Sequence, residues 1–346
     1  MSAPALSVVV PASCTARRHG SSRLRLALVS LCNQTLDRQQ YEVIVVDNGS
    51  DPPVEELLQK WDLVGQVRVH RLTGPGLARA YNAGIALARA PLVLLGTDDE
   101  LLAPGALAAH VSHHASNSKP RVGFGRCRFV YHTEAFLDVT TAEPVPGAVA
   151  GMVRRADAVW LRGALTALGL ADRPITVADV QTRFDSILAL SGSDPSFVDI
   201  ERVVGSGRCH QMAAGWLAMR VGNHTVPTAA LRAVGGIDEA LDQHGGWYLD
   251  IDLGLRLVQH GLVFGLVDAA VSTNLTHPRG DGYLLGAVPA MSYLINKHRR
   301  MDVALSPLYF QRGFGIASFS RMLAAAAGLP DSAAGLLAAS VSNTDR

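Results

Sequence analysis

Hydrophobic positions in the first hundred residues alternate between short continuous runs and stripes with helical spacing. Short apolar runs bounded by Pro, Gly or Asp are typical of buried strands, whereas apolar residues three and four apart predict amphipathic helices. The predicted strands are Leu6–Val10, Tyr41–Val46, Val67–Leu72 and Leu92–Leu95. The predicted helices are Arg23–Leu36, Val54–Trp61 and Leu77–Arg89. This alternation favours an α/β fold with a mainly parallel sheet covered by helices.

The pattern after residue 100 is less regular, and residues 132–210 are rich in Pro, Gly, Ser and Asp. Within that stretch only Val153–Leu168 has clear helical spacing. The segments that still predict elements are helices at Ala106–Ala115, Thr228–Val234 and Leu249–His260, an extended run at Val122–Tyr131 and a strand at Val263–Val267. Residues 296–346 are Ala-rich with helical spacing. We therefore expect one main domain over residues 1–295 and a helical C-terminal extension over 296–346.

Composition narrows the class of protein. The chain has 346 residues, of which 48% are hydrophobic and 18% charged, and its net charge of +1 gives no general affinity for nucleic acid. The four cysteines are scattered, so neither a zinc site nor a disulfide framework is indicated. No signal peptide and no apolar run of roughly 18 residues occurs, which predicts a cytoplasmic protein without a transmembrane segment.

Acidic residues follow two of the predicted strands. Asp98 and Asp99 come just after Leu92–Leu95, and Asp47 follows Tyr41–Val46. Because the carboxyl ends of neighbouring parallel strands meet at one edge, where open α/β proteins bind ligands, we expect these carboxylates to share a rim. Paired carboxylates repel unless a cation neutralises them, and single ones accept hydrogen bonds from a ribose or a base. Simple capping of a helix and of the Asn-Gly-Ser turn remains an alternative.

A glycine-rich segment supports a rival interpretation. Gly74-Pro-Gly76-Leu-Ala-Arg79-Ala stands between a predicted strand and a predicted helix, as the dinucleotide-binding fingerprint does, and an acid follows at about the expected interval. An NAD(P)-dependent oxidoreductase is therefore one alternative. Two features weaken it, because the loop follows the third strand rather than the first and the acid is doubled.

Further candidate residues lie in the last third of the chain. Asp250 falls in the first turn of a predicted helix, where the helix dipole favours negative charge, and Asp252 is spaced for an ion pair with Arg256. His277 follows the region of the last predicted strand. Each of these side chains also has a purely structural explanation.

Three histidines, His110, His113 and His114, share one predicted helix. Their spacing of three and four residues is compatible with a metal site, but the helix carries no carboxylate or cysteine to complete it. We expect three solvated positions instead.

Taken in order, these segments resemble the family 2 glycosyltransferases of GT-A fold. The N-terminal matches are Ser7-Val-Val-Val-Pro11, Val45-Val-Asp47-Asn-Gly-Ser50, Gly76-Leu-Ala-Arg-Ala-Tyr-Asn82-Ala-Gly84 and Thr97-Asp98-Asp99. Ala233-Val-Gly-Gly-Ile-Asp238-Glu and the segment from Trp247 to Arg256 look like segments of galactosyltransferase-like members. The resemblance covers most of residues 6–125 and 213–280.

The resemblance implies a nucleotide-sugar-binding half over residues 1–125 and an acceptor and catalytic half over 126–295. The donor-binding residues that it implies are Pro11, Asp47, Asn48, Arg79, Asn82, Asp98 and Asp99. Asp99 and His277 would hold Mn²⁺ or Mg²⁺, since hard divalent cations bind oxygen-rich sites. A UDP-sugar is the favoured donor.

On the acceptor side, the resemblance makes Asp250 the general base of an inverting single displacement. Trp247 and Asp252 are candidate acceptor contacts, and Trp160 and Trp216 are expected to be either core residues or sugar platforms. Leu249 replaces the family's usual Glu, which leaves a non-catalytic sugar-nucleotide or carbohydrate-binding module as a second alternative. The expected acceptor is a carbohydrate or another hydroxyl-bearing small molecule, and a homo-oligomer stays open.

Overall fold

The computed structural model of the chain describes residues 3–14, 21–145, 166–167, 169–170, 172–277 and 286–328. The strands are β1 Leu6–Ala12, β2 Tyr41–Asp47, β3 Arg68–Arg71, β4 Leu92–Leu95, β5 Glu100–Leu102, β6 Arg121–Val130, β7 Phe136–Asp138, β8 Glu143–Pro144, β9 His224–Pro227 and β10 Val263–Leu275. The first helices are α1 Ser22–Cys32, α2 Val54–Lys60, α3 Leu77–Leu87, α4 Ala106–Ala115, α5 Val177–Thr182, α6 Phe184–Leu188 and α7 Pro195–Gly205. The later helices are α8 Thr228–Ala233, α9 Leu249–Gln259, α10 Ala287–His298, α11 Met301–Ala304, α12 Ser306–Arg312 and α13 Ile316–Ala327.

Eight strands form one mixed sheet in the order β3-β2-β1-β4-β9-β6-β10-β5, and β7 and β8 form a small hairpin beside it. The β1–β2, β2–β3, β1–β4 and β6–β10 pairs are parallel, whereas β9 runs antiparallel to both β4 and β6. Two successive reversals make β6 parallel to β4 again. The carboxyl ends of β1, β2, β4, β6 and β10 therefore lie along one edge of the sheet.

The predicted strands before residue 100 are confirmed, and the sheet is mainly parallel as expected. Helix α1 ends at Cys32 rather than at Leu36 because the chain turns to bond its neighbours: the Asn33 amide donates to Gln181 O at 3.1 Å, and the Thr35 N–H donates to Pro104 O at 2.7 Å. The short strands β5 and β9 were not predicted. Residues 146–165, 168 and 171 of the loosely patterned stretch, which include nearly all of the predicted Val153–Leu168 helix, lie outside the described residues.

The sheet separates two hydrophobic cores. Successive residues of β1 alternate between them, since Val9 packs in one core and Val8 in the other. The helices after residue 286 share the first core, where Leu294 and Phe319 pack in the same cluster as Leu249 of α9. The described part of the C-terminal extension is thus helical and joined to the main domain. None of the described helices is long and apolar enough to cross a membrane.

The expectation that the α4 histidines are solvated is wrong for His110, which is fully buried. Its two ring nitrogens lie 2.8 Å from Asn223 Oδ1 and 2.9 Å from Thr225 Oγ1. His224 on β9 is also buried, and neither of its ring nitrogens has a hydrogen-bond partner among the described residues. Burial holds the pKa of His110 down to about 4 and that of His224 well below its usual value.

The two buried histidines, His110 and His224, should make the folded protein less stable in acid. The pKa values of these histidines in the folded protein lie below the value near 6.5 that they have in the unfolded chain. Below pH 6.5 the unfolded state therefore binds more protons than the folded state. The histidine contribution to the free energy of unfolding then falls as the pH drops from about 6.5 towards 4. We expect each fully buried histidine to cost about 1 kcal/mol of unfolding free energy between pH 7 and pH 5.5. The buried Glu100 carboxyl, whose pKa burial raises to about 7, has the opposite effect over this range, so the histidine contribution is measured as a difference between wild type and a histidine variant in urea at the two pH values.

His224→Phe is the variant that tests the origin of this loss. Phe fits beside the Phe124 ring, which His224 meets edge-on with a 4.3 Å centroid distance, and it removes two buried polar atoms. The variant should be more stable at neutral pH and lose about 1 kcal/mol less on acidification. The exposed His70→Phe change is the control; an unchanged pH dependence in His224→Phe would contradict this explanation.

Candidate active site

The loops that follow β1, β2 and β4 are joined by hydrogen bonds at the carboxyl edge of the sheet. The Ser13 N–H donates to Asp98 Oδ2 at 3.4 Å, and the Cys14 N–H donates to Ser50 Oγ at 2.9 Å. Pro11 lies within β1 and pairs with Val46 of β2. The sequence-predicted acids of the two loops therefore do share one rim.

Asp98 and Asp99 have different surroundings. Asp98 is partly buried, whereas Asp99 is only 8% exposed. The Thr97 hydroxyl donates to Asp99 Oδ1 at 2.8 Å, which leaves Oδ2 on the side of His277. The two adjacent carboxylates thus take part in different contacts, as different roles would require.

Asp99 and His277 come together although 178 positions separate them in the sequence. His277 Nε2 lies 3.6 Å from Asp99 Oδ2. The backbone fixes this approach, because β10 pairs with β5 next to the acid and the Leu275 N–H donates to the Asp99 carbonyl at 2.7 Å. Two residues from distant parts of the chain are therefore held side by side.

This pair fits a divalent cation. Ligand atoms bound to one cation at about 2.0–2.3 Å come within a few ångströms of each other, as the Asp99 and His277 atoms do. The described residues contain no group of three or more His, Cys, Asp or Glu side chains placed to hold a metal. A cation here would need oxygen atoms from a ligand or from water to complete its coordination.

Arg23 was missed in the sequence because it lies on a helix whose basic residues look like a solvated face. Its side chain is buried, and its guanidinium donates to backbone carbonyl oxygens around the rim. These acceptors are Thr133 O at 2.7 Å, Phe136 O at 3.0 Å, Thr276 O at 3.0 Å, Leu275 O at 3.3 Å and Leu137 O at 3.4 Å. Burial lowers the Arg23 pKa to about 10, while the nearby Asp99 and Asp98 charges oppose that shift. Arg23 thus ties the end of β10 to the rim.

Asp47 is buried and organises its own turn. Its two carboxylate oxygens accept the N–H groups of Ser50 at 2.7 Å and of Val54 at 3.2 Å, and Arg71 lies 3.6 Å away. The neighbouring Asn48 side chain accepts the Gly76 N–H at 2.6 Å. A nucleoside contact by Asp47 or Asn48 stays a prediction, and the contacts seen hold the second and third loops together.

Helix α3 contacts a loop from the last third of the chain. Asn82 Oδ1 accepts the Ile237 N–H at 2.8 Å, and Asn82 Nδ2 donates to Glu239 Oε1 at 2.9 Å. Asp242 accepts the Ala78 N–H at 2.7 Å and the Arg79 N–H at 3.1 Å, with the Arg79 Nε 3.8 Å away. A carboxylate therefore occupies the helix start that a dinucleotide pyrophosphate would use. This arrangement counts against the oxidoreductase alternative.

Asp250 lies in the first turn of α9. It is near the end of β4, because the Tyr81 hydroxyl donates to Gly96 O at 2.8 Å, and the charges of Asp98, Asp250 and Asp99 add to the rise that burial gives the Tyr81 pKa. Tyr248, just before the helix, has left-handed backbone angles (φ 59°, ψ 18°), a conformation that costs a bulky residue about 1–3 kcal/mol. The partly buried Asp250 carboxylate accepts the Ile251 N–H at 2.8 Å. Burial raises its pKa, and the Arg220 guanidinium opposes this rise. A carboxylate with a raised pKa is suited to accept a proton near neutral pH.

Asp252 is held differently from Asp250. Its side chain is fully buried and bonds the Arg256 Nε, the Lys297 Nζ and the His298 Nε2, each at 2.7 Å. Burial alone would raise the Asp252 pKa, but the His298 hydrogen bond and the two cations lower it to about 2. This geometry favours a structural role, because an acceptor cannot reach a carboxylate enclosed in this way.

The aromatic and apolar positions that the sequence suggests for the acceptor side differ in their surroundings. Trp247 is partly buried, with its ring 5.6 Å from the Tyr248 ring. Trp216 is a core residue, since it is 3% exposed and its Nε1 donates to Asp302 at 3.1 Å. Trp160 lies outside the described residues. Leu249 is 3% exposed in the first core, so this position does not line the rim.

Known proteins resemble this chain in sequence. Residues 7–133 match the model of glycosyl transferase family 2. The uncharacterized glycosyltransferase YfnE of Bacillus subtilis (strain 168) is 24% identical over 310 residues, which cover 87% of this chain and 73% of YfnE. Validoxylamine A glucosyltransferase of Streptomyces hygroscopicus subsp. jinggangensis (strain 5008) is 27% identical over 75% of this chain, which spans 52% of that protein.

A solved structure shares the fold. The mannosyltransferase PcManGT from Pyrobaculum calidifontis, determined in complex with GDP-Man and Mn²⁺, superposes with a TM-score of 0.52 at 15% identity. The match covers 98% of this chain and 80% of that protein. The mainly parallel sheet with flanking helices is therefore the GT-A arrangement expected from the sequence.

Proposed function

We infer that this chain uses a metal-dependent, inverting mechanism with a nucleotide-diphosphate sugar as donor. The chain is a glycosyltransferase, and its residues 7–133 match glycosyl transferase family 2. The observation that carries the proposal is the Asp99–His277 pair on the same sheet edge as the half-buried Asp250 carboxylate. Metal and base would thus lie on one rim, where a donor and an acceptor can meet.

The donor would lie across the loops that follow β1, β2 and β4. Asp98 is the accessible carboxylate of its pair and is proposed to bind the nucleoside, with Pro11 and Asp47 shaping the floor. Asn48, Arg79 and Asn82 would act mainly by holding the loops, since each is bonded to a neighbouring segment. The GDP-Man complex of the mannosyltransferase supports a nucleotide sugar, and a UDP-sugar remains the favoured donor.

Asp99 and His277 would hold the metal. Since Mg²⁺ strongly prefers oxygen ligands, the His277 nitrogen favours Mn²⁺, which is also the ion in the mannosyltransferase complex. A divalent cation held there would offset the charge that collects on the departing nucleoside diphosphate. Arg23 would keep the two ligands in place, because it bonds the carbonyl oxygen of Thr276 just before His277.

Asp250 would remove the proton of the acceptor hydroxyl. The hydroxyl oxygen then bonds to the anomeric carbon while the bond from that carbon to the diphosphate oxygen breaks, and the proton remains on the Asp250 carboxylate. A single displacement of this kind inverts the anomeric configuration. The N-terminal dipole of α9 favours the ionised form of Asp250, the form that can accept a proton.

A thermal-shift screen of UDP-, GDP- and dTDP-sugars with and without Mn²⁺ tests donor and metal together. We expect Asp99→Asn to abolish the increase in donor affinity that Mn²⁺ gives, whereas Asp98→Asn should weaken donor binding equally with and without the metal. Equal affinities for wild type with Mn²⁺ and with a chelator would count against the metal assignment.

Donor turnover separates an active transferase from a binding module. The wild-type protein should release nucleoside diphosphate slowly even without an acceptor, because water can take the place of the acceptor hydroxyl. Donor binding with no release of nucleoside diphosphate would instead favour the non-catalytic alternative.

A further inference from the structure

A pair of stacked aromatic rings lies at the carboxyl end of β6, next to the Asp99–His277 pair. The Phe129 and Tyr131 rings are 5.9 Å apart and inclined by 23°, and Phe197 of α7 meets Phe129 edge-on at 5.1 Å. The Thr276 hydroxyl donates to the Tyr131 carbonyl at 3.2 Å, one residue before His277. The aromatic pair therefore borders the rim that carries the candidate metal ligands.

Tyr131 exposes much of its surface while the rings behind it do not. It is 39% exposed, whereas Phe129 and Phe197 are partly buried. Because Phe129 and Phe197 hold the Tyr131 ring in place, the ring loses little conformational entropy when a ligand binds to it. Tyr131 is therefore a preorganised contact surface. Nothing in the mechanism proposed above uses it.

Gly192 provides the space for this ring. Its N–H donates to Phe129 O at 2.8 Å, and its carbonyl accepts the Phe129 N–H at 2.9 Å, so the two backbones are locked together. A Cβ at position 192 would lie 2.9 Å from a carbon of the Tyr131 ring, closer than van der Waals contact allows. Any larger residue would therefore displace the ring.

A carboxylate lies close in sequence to the glycine that supports the ring. Asp194, two positions after Gly192, caps the start of α7, where it accepts the Ser196 N–H at 2.8 Å. Burial raises the pKa of Tyr131, and the negative charge of Asp194 adds to that rise.

We propose that Tyr131, supported by Phe129 and Phe197, binds a sugar ring of the acceptor. One face of a pyranose presents C–H groups that pack on an aromatic ring, and its hydroxyls suit neighbouring carboxylates as hydrogen-bond donors. A phosphate-bearing group is disfavoured here, because Asp194 would repel it. The assignment rests on the proposed function, since it takes the acceptor to be a carbohydrate.

Saturation-transfer NMR with methyl glycosides of glucose, galactose, N-acetylglucosamine and mannose tests this assignment. We expect Tyr131→Ala to weaken the glycosides that bind the wild type by about tenfold, and Tyr131→Phe to change their affinity by less than about twofold. Gly192→Ala should act in the same direction as Tyr131→Ala. The remote, exposed Val64→Ala change is the control. Equal affinities for wild type and Tyr131→Ala, or binding of none of the glycosides, overturns the proposal.

Donor binding measured on the same variants separates the two proposals. Tyr131→Ala should keep the wild-type affinity for the nucleotide sugar and the wild-type unfolding midpoint in urea. Loss of donor affinity together with glycoside affinity would show that the substitution disturbs the whole rim, which contradicts a specific acceptor role. Glycoside binding by the wild type without any donor binding would refute the proposed transferase mechanism but would still support sugar binding by Tyr131.

Discussion

Replacing Asp250 by Asn should lower the rate of sugar transfer by about a thousandfold or more while leaving donor affinity unchanged. The amide keeps the shape of the side chain but cannot accept the acceptor proton, and losing a positioned general base costs about 10²–10⁴-fold. The Ile251 N–H, which now donates to Asp250 Oδ1, can donate to the amide oxygen, so the first turn of α9 should keep its geometry.

The rate of sugar transfer is measured from the amount of glycosylated product. Donor affinity is measured separately by calorimetry. In the wild type the rate should fall on the acid side as the Asp250 carboxylate becomes protonated, and its raised pKa moves that fall towards neutral pH. Unchanged turnover in Asp250→Asn would remove this residue from the mechanism.

Replacing Asp252 by Asn should instead reduce the free energy of unfolding by about 3–5 kcal/mol, the usual cost of removing one partner of a buried charge pair. The Asp252 side chain is fully buried and bonds two cationic side chains, Arg256 and Lys297, and the His298 ring. Of these, the His298 side chain is 9% and that of Arg256 16% exposed, so the charges left behind have little access to water. Urea denaturation at neutral pH measures the loss.

Asp268→Asn is the matched control for that experiment. Asp268 also pairs with an arginine, Arg126, but its side chain is 74% exposed, so its removal should cost less than about 1 kcal/mol. A loss of similar size in the two variants would mean that the Asp252 cluster does not behave as a buried ion network.

Local patterns predicted the first half of the fold because each of its strands and helices has its own hydrophobic period. β5 and β9 were missed because strand pairing rather than a local pattern defines them: β5 pairs with β10, and β9 pairs with β4 and β6. The middle of the chain, apart from the predicted Val153–Leu168 helix, was unpredicted for a different reason. Its helices α5 and α6 have six and five residues, so neighbouring segments rather than helical periodicity stabilise them.

The candidate site shows the same limit. Asp98, Asp99 and Asp250 could be found because a carboxylate at a strand end or helix start is a local feature. Arg23 could not, because its partners lie more than a hundred positions away and are backbone carbonyls, which leave no trace in the sequence. The surroundings of Asp252 are equally non-local, since Lys297 and His298 follow it by 45 and 46 positions.

The shared core of α9 and the C-terminal helices also bears on the order of folding during synthesis. A nascent chain that ends just after His277 already carries every proposed donor residue, both proposed metal ligands and Asp250, yet it lacks Lys297 and Asp302, which bond Asp252 and Trp216. Contacts between such distant positions form late and slowly in folding. We therefore expect α9, which bears the proposed base Asp250, to reach its final position only after the ribosome has released α10 and α11.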